Sequence, residues 1–144
     1  MSDFYFNDGR AVLPEGWEDK TVVALSFPAG AEQASASFTI TRDVLRNKEV
    51  NLATYVDTHL QTAKSFPKFK LLRHGDVVLD DKPAEQVEFT WRTPDKVTVH
   101  QLQTILINKG VALIFTATTQ EGKFEDHKKD LLLLLNSIRL RQDI

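Results

Sequence analysis

Residues 96 to 120 read KVTVHQLQTILINKGVALIFTATTQ, and the way these letters alternate decides the fold. Asn108, Lys109 and Gly110 form a tight turn signal between two runs rich in β-branched and aromatic residues. The stretch is therefore expected to be a β-hairpin, the longest in the chain. Successive side chains of a strand point to opposite faces. Val97, Val99, Ile105 and Ile107 share one parity, and Leu102 and Leu106 share the other. On the return strand Leu113 and Phe115 fall on one side and Ile114 on the other. A sheet face that meets water is normally polar. Neither parity is cleanly polar here, so both faces need cover.

The strands upstream extend this pattern. TVVALSFP (21–28) puts Val23, Leu25 and Phe27 on one face and Val22, Ala24 and Ser26 on the other. In ASASFTIT (34–41), Phe38 and Ile40 point one way and Ser37 and Thr39 the other, with residues 29 to 33 expected as the intervening loop. The second face of this pair is small and weakly polar, without charge. Further upstream, FYFN (4–7), Asp8-Gly9 and AVLP suggest a strand, a turn and a second extended segment. Trp17 is expected to pack over one end of the core.

After a charged connector (42–50), Asn51 is placed to cap a helix in which Leu52, Tyr55, Val56, Leu60 and Ala63 recur at helical spacing through NLATYVDTHLQTAKSF (51–66), and Pro67 is expected to stop it. FKLLR and DVVLD read as strands joined at His74-Gly75, and Asp80 to Pro83 as a turn. AEQVEFTW (84–91) alternates Val87, Phe89 and Trp91 inward with Gln86, Glu88 and Thr90 outward. A second amphipathic helix runs from Phe124 to Asn136. Its leucine block (131–135) exceeds one stripe, so burial on more than one side is expected, followed by a short strand or tail at 137–141. Strands, helix, strands, helix, with no βαβ alternation, give an α+β class: a mainly antiparallel twisted sheet with two amphipathic helices. A single domain over residues 1–144 is expected. One sheet face is expected to pack both helices, leaving the other for a partner.

Composition narrows the function. The net charge of −2, with no basic run longer than Lys128-Lys129, argues against a nucleic-acid partner. Absence of cysteine rules out a disulfide framework, a thiolate nucleophile and cysteine-ligated zinc, and fits a reducing compartment. The N-terminal MSDFYFNDGRAV is acidic and lacks an apolar signal core. The longest apolar run, Leu131 to Leu135, is far short of the ~20 residues that span a bilayer. A cytoplasmic protein without direct membrane anchoring is expected.

Catalytic chemistry finds no foothold. His59, His74, His100 and His127 include no pair at i, i+4 and no HxH, so no metal site is assigned. Asp80-Asp81 precedes Lys82-Pro83 and reads as a turn, not as an acid–base pair. There is no GxSxG, GxGxxG or P-loop, and Ser26 has no placed base. Catalytic residues, metals and cofactors are therefore all assigned as none. Gln101 and Gln103, two apart, project from one face. They are either solvent-facing amides or hydrogen-bonding groups in a largely apolar groove, where amides cost less to desolvate than charges.

Taken together, these residues resemble the DcrB-like domain, a bacterial family with the Mog1/PsbP-like α+β fold. The resemblance is carried by Asn7-Asp8-Gly9 before Leu13-Pro14, and by Trp17, Asp19 and Thr21. It continues through Phe38, Ile40 and Arg42, then Leu52, Tyr55, Val56 and Leu60 of the helix. Ala84, Trp91, Gln101 with Gln103, and Phe115-Thr116-Ala117-Thr118 complete it. Within that family the chain is similar to the Eag-type chaperones of type VI secretion effectors, since it lacks the cysteine a lipoprotein of the DcrB kind would need. The resemblance implies a non-enzymatic homodimer that shields the hydrophobic, transmembrane-helix-containing N-terminal region of a secreted effector and supports its loading. It carries no catalytic residue, and fold alone does not transfer the functions of PsbP-like or Mog1 relatives. The expected partner face comprises Val22, Ala24, Ser37, Thr39, Gln101, Gln103, Ile114 and Thr116, provided that no bulge flips the hairpin's parity. The alternative is another protein-binding or small apolar ligand-binding module on the same fold; an enzyme ranks third.

Overall fold

The hairpin forms as β7 (Thr98–Asn108) and β8 (Val111–Gln120), paired antiparallel from Val99↔Gln120 to Asn108↔Val111 with no shift in register. Lys109 and Gly110 both take positive φ, at 52° and 78°, which lets a two-residue turn follow the twist of its strands. Parity therefore runs unbroken along the hairpin.

The computed structural model describes residues 1–29, 33–47 and 49–142. Around the hairpin lie β3 (Val23–Ala29), β4 (Gln33–Val44), β5 (Lys70–Leu79) and β6 (Lys82–Arg92), in the order β3-β4-β8-β7-β6-β5. Every pairing in this six-stranded sheet is antiparallel. β1 (Ser2–Phe6) and β2 (Gly9–Leu13) form a separate hairpin. The loop expected at 29–33 falls largely on residues 30–32, outside the described residues.

The helices do not share a face. On one side of the sheet α1 (Leu52–Ala63) buries Val56 and Leu60 against Val87, Phe89 and Ile105. On the other, α2 (Phe124–Asn136) buries Phe124, Leu131 and Leu135 against Phe38, Leu102, Leu106 and Phe115. Consecutive residues Ile105 and Leu106, both fully buried, thus belong to different cores. The expectation that one face packs both helices is corrected, and the reason lies in the double-sided apolarity of the hairpin. A sheet whose two parities are both apolar cannot be satisfied from one side. Each fully buried Leu, Ile or Phe adds about 2 kcal/mol, so leaving either set wet would be costly.

α1 starts where expected: the Asn51 carboxamide accepts from Thr54 N–H at 2.8 Å. It carries the chain from β4 to β5 at the far edge and lies over β6 and β7 on the way. That path leaves the same side of β3, β4 and β8 without a helix.

Other local expectations change. Trp17 does not cap the core; it is 70% exposed. His74-Gly75 is no turn, since β5 is one strand that accommodates its irregularity as a bulge between Leu71 and Arg73. Gln86 and Glu88 do point away from α1, but into the second covered face. There Gln86 Nε2 donates to Thr104 Oγ1 at 3.0 Å, and Glu88 Oε2 lies 2.6 Å from His100 Nε2. The His100 ring stacks on Phe124 at 4.0 Å. The leucine block of α2 is buried on one side only, with Leu133 left 68% exposed. Residues 137–141 form a tail, held where Leu140 N–H donates to Asp80 Oδ2 at 2.8 Å.

Candidate functional site

The register gathers the expected partner-face residues. Ala24 pairs with Thr39, Thr39 with Thr116 and Thr116 with Gln103, one row across four strands. A parallel row runs Ser26, Ser37, Thr118, Gln101. Ile114 shares this face and packs against the α1 core beside Ile105. Val22 lies just before β3 and is 60% exposed. Ala24 is exposed; Ser37, Thr39, Gln101, Gln103 and Ile114 are half-buried; Thr116 is buried. The face is the one on the α1 side: α1 borders it at Gln103 and Ile114, and among the described residues no helix covers its part on β3 and β4.

The entry to this face is pinned by residues that carry the family resemblance. Asp19 accepts from Thr21 N–H at 2.9 Å, and its Oδ2 lies 2.9 Å from Arg42 Nη1 on β4. Arg42 also donates to the Asp19 carbonyl at 2.7 Å, which fixes the segment leading into β3.

Size and chemistry follow from the rows. The three strands β3, β4 and β8 that α1 leaves uncovered span about 10 Å and β8 runs about 33 Å, room for one helix of ~20 residues laid along the strands. The two rows hold Ala, Ser, Thr and Gln and no charge, in a chain with 26% charged residues. Small residues let a helix approach closely, and nothing here must be stripped of a tightly held hydration shell.

Gln101 and Gln103 are not loose amides. Trp91 Nε1 donates to Gln101 Oε1 at 2.7 Å, and Gln101 Nε2 donates to Thr118 Oγ1 at 3.0 Å. His59 Nε2, on α1, lies 2.8 Å from Gln103 Oε1, and Gln103 Nε2 donates to Thr116 Oγ1 at 3.3 Å. The imidazole of His59 stacks on the Tyr55 ring, their centroids 6.4 Å apart. Tyr55 Oη donates to Asp43 Oδ2 at 2.7 Å. Burial first, then the hydrogen bond to Asp43 and its negative charge, push the Tyr55 phenol well above its usual range. Asp43 at the end of β4 thus closes the uncharged face with a satisfied carboxylate.

Sequence reasoning missed Trp91, His59 and Thr118 as members of this constellation. Thr118 was within reach, since it stands opposite Gln101 once the two-residue turn sets the register. Trp91 is diagonal to Gln101 across β6 and β7, a contact that needs the strand order. His59 required knowing which face α1 covers. Among the described residues, no three His, Cys, Asp or Glu side chains gather to hold a metal ion. No described helix is long and apolar enough to cross a membrane.

A separate apolar cleft of about 180 Å³ lies on the α2 side, between edge strand β3 and α2, lined by Leu25, Phe27, Phe38, His127, Leu131 and Leu134 among others.

Known proteins agree with this architecture. The crystal structure of PA94 from Pseudomonas aeruginosa, a protein of unknown function, superposes with a TM-score of 0.86 at 23% identity, covering 98% of this chain and 97% of that one. The solution structure of the cyanobacterial PsbP, CyanoP, from Synechocystis sp. PCC 6803 has a TM-score of 0.56 at 12% identity, over 92% and 86%. These likenesses establish the PsbP-like α+β fold. In sequence, the chain is 25% identical over 129 residues to Effector EagT6 of Pseudomonas aeruginosa, spanning 89% of this chain and 88% of that protein. The DcrB family pattern matches residues 8–137, nearly the whole chain, and the protein belongs to the DcrB family.

Proposed function

We propose that this protein is a non-enzymatic chaperone whose uncharged sheet face binds and shields the hydrophobic, transmembrane-helix-containing N-terminal region of a type VI secretion effector and supports its loading. The observation that carries the reading is that face itself: two uncharged rows of Ala, Ser, Thr and Gln across β3, β4, β8 and β7, flanked by α1 over β7 and, among the described residues, without a helix over β3, β4 and β8. An apolar helix of ~20 residues aggregates in water unless a surface covers it, and this face has the dimensions to do so. The relation to Effector EagT6 and the resemblance to Eag-type chaperones supply the class of guest.

The chain acts as one domain, in the cytoplasm, and as a homodimer. Tyr5, Phe6 and Val12 of the β1–β2 hairpin, Trp17, and Leu25 and Phe27 of edge strand β3 are exposed apolar groups that a second copy would cover. Light scattering at micromolar concentration should report a dimer; a monomer contradicts this part.

Co-expression with a cognate effector's N-terminal region should give a soluble stoichiometric complex. Ala24→Asp and Gln101→Arg place a charge on the face and should abolish capture while leaving the circular dichroism and melting cooperativity unchanged. Capture that survives both substitutions removes these residues from the site. The apolar cleft beside α2 favours a second reading, a small apolar ligand-binding module. That reading expects a fluorescent fatty acid to bind the purified protein and Leu131→Trp to block it.

A further inference from the structure

A strand at the edge of a sheet is protected from unwanted pairing by charged side chains, bulges or proline. The two edges of this sheet differ in that respect. β5 carries Lys70, Arg73, His74 and Asp76 and is interrupted by the bulge between Leu71 and Arg73. β3, at the opposite edge, belongs to a stretch from Thr21 to Ala29 without a single charged residue, in a chain with 26% of them. That is the composition of a central strand in an edge position. Val23, Leu25 and Phe27 share the α2 side of the sheet and are all exposed. Phe27 leans on His127 of α2, their ring centroids 5.4 Å apart. What protection β3 has lies at one end, where the register shifts between Phe27 and Pro28 and proline brings no N–H. Val23 to Phe27 therefore remain as a regular open edge, with Leu25 in the middle.

We infer that this edge is the seam of the homodimer: Val23–Phe27 pairs antiparallel with the same segment of a second copy, about a two-fold axis at Leu25. This rests on the homodimer proposed above and adds its interface. Antiparallel neighbours related by a two-fold must have the axis perpendicular to the sheet, so like faces adjoin. Leu25 then meets the partner's Leu25, and Val23 meets the partner's Phe27. The exposed apolar set on the α2 side is thus covered by its own copy. On the other side Ala24 meets the partner's Ser26. Absence of charge is what self-pairing requires, because an ionised group near the axis would face its own like charge. A charged foreign strand would find no complement here, whereas a second copy needs none. The row Gln103, Thr116, Thr39, Ala24 then runs on into the row that begins at the partner's Ser26, so each copy extends the other's uncharged face.

A residue on a two-fold axis meets only itself, and the test uses that. Leu25→Lys and Leu25→Glu each set like charges about 5 Å apart across the axis. Each should raise the dimer dissociation constant about tenfold or more in sedimentation at micromolar concentration. Mixed in equal amounts, the two variants should recover a heterodimer, identified by native mass spectrometry. Circular dichroism checks that each variant is folded. The chain has no cysteine, so Leu25→Cys gives an independent reading on a neutral side chain. A short bis-maleimide should link wild-type-like dimers from position 25 and not from Leu133→Cys, which lies on the exposed side of α2. Hydrogen exchange of the Val23–Phe27 amides should slow as the protein concentration rises.

If wild type dimerises but both charged variants do so equally tightly, or their mixture stays monomeric, the seam lies elsewhere and the homodimer stands. If wild type is monomeric and Leu25→Cys yields no crosslinked dimer, homodimer and seam fall together. If the Val23–Phe27 amides slow only when an effector's N-terminal region is added to a monomer, the edge takes an extended foreign segment and the self-paired seam is overturned.

Discussion

Two cores separated by a sheet should lose stability independently, and this can be tested with one residue from each helix. Val56 on α1 is 0% exposed and Leu131 on α2 is 6% exposed, and they belong to different clusters. Val56→Ala removes two carbons, about 1.6 kcal/mol of transfer free energy at about 0.8 per group. Incomplete collapse of the cavity brings the loss to about 2 kcal/mol. Leu131→Ala removes three carbons, and the same reasoning gives about 3 kcal/mol. Urea denaturation at a slope of about 2 kcal/mol/M then expects midpoint shifts of about 1 M and 1.5 M. The double variant should shift by the sum, about 2.5 M, with a coupling below about 0.5 kcal/mol, because neither cavity can be filled from the other side. Slopes must stay constant for the comparison to hold. A coupling above about 1 kcal/mol would mean that the two helices share one core, and the face left free by α1 would not exist as described.

Three further outcomes follow from single contacts. Tyr55→Phe removes the hydrogen bond to Asp43, costing about 1 kcal/mol at neutral pH. The folded phenol's pKa lies above the unfolded value of 10.0, so its contribution is complete below pH 10 and is lost as pH rises beyond. The variant's melting temperature should therefore fall less steeply than wild type's above pH 10, and parallel curves refute the linkage. Asp80→Gly accommodates the positive φ of 50° and removes the carboxylate that holds Leu140 N–H. It should cost about 1–2 kcal/mol and quicken proteolysis after Arg139, whereas unchanged cleavage would show the tail to be held by Ile138 and Leu140 packing alone. Lys109→Gly should leave stability within about 0.5 kcal/mol of wild type or raise it, since Lys109 already adopts φ of 52°; a loss above 1 kcal/mol would place the turn's value in the lysine side chain.

Much of this was legible in the alternation of residues 96 to 120. Its two apolar parities announced a sheet covered on both sides, and the absence of any bulge in β7 and β8 kept Gln101, Gln103, Ile114 and Thr116 on one face. The bounds of α2 at Phe124–Asn136 followed from apolar spacing and the start of α1 at Leu52 from the Asn51 cap, whereas α1 ends at Ala63, ahead of the stop expected at Pro67. What alternation cannot reveal is strand order. Only with β4 beside β8 do Ser37 and Thr39 join Thr118 and Thr116 in rows. Only with α1 over β6 and β7 does His59 reach Gln103. The same lack misdirected Glu88, whose polarity suggested solvent but whose partners are Arg73 at 3.1 Å and His100 at 2.6 Å on the α2 side. Polar residues on a covered face are tolerated when each finds a partner, and partners across strands are invisible without register.

The central claim is that guests lie on the uncharged face beside α1. A photocrosslinking residue placed at Thr39, in the middle of that face, and another at Leu133, exposed on the α2 side, compare the two surfaces in one co-expression with a cognate effector's N-terminal region. Crosslinks to the guest's apolar helix should form from position 39 and not from 133. Crosslinks from 133 with none from 39 would contradict the claim and move the site to the α2 side.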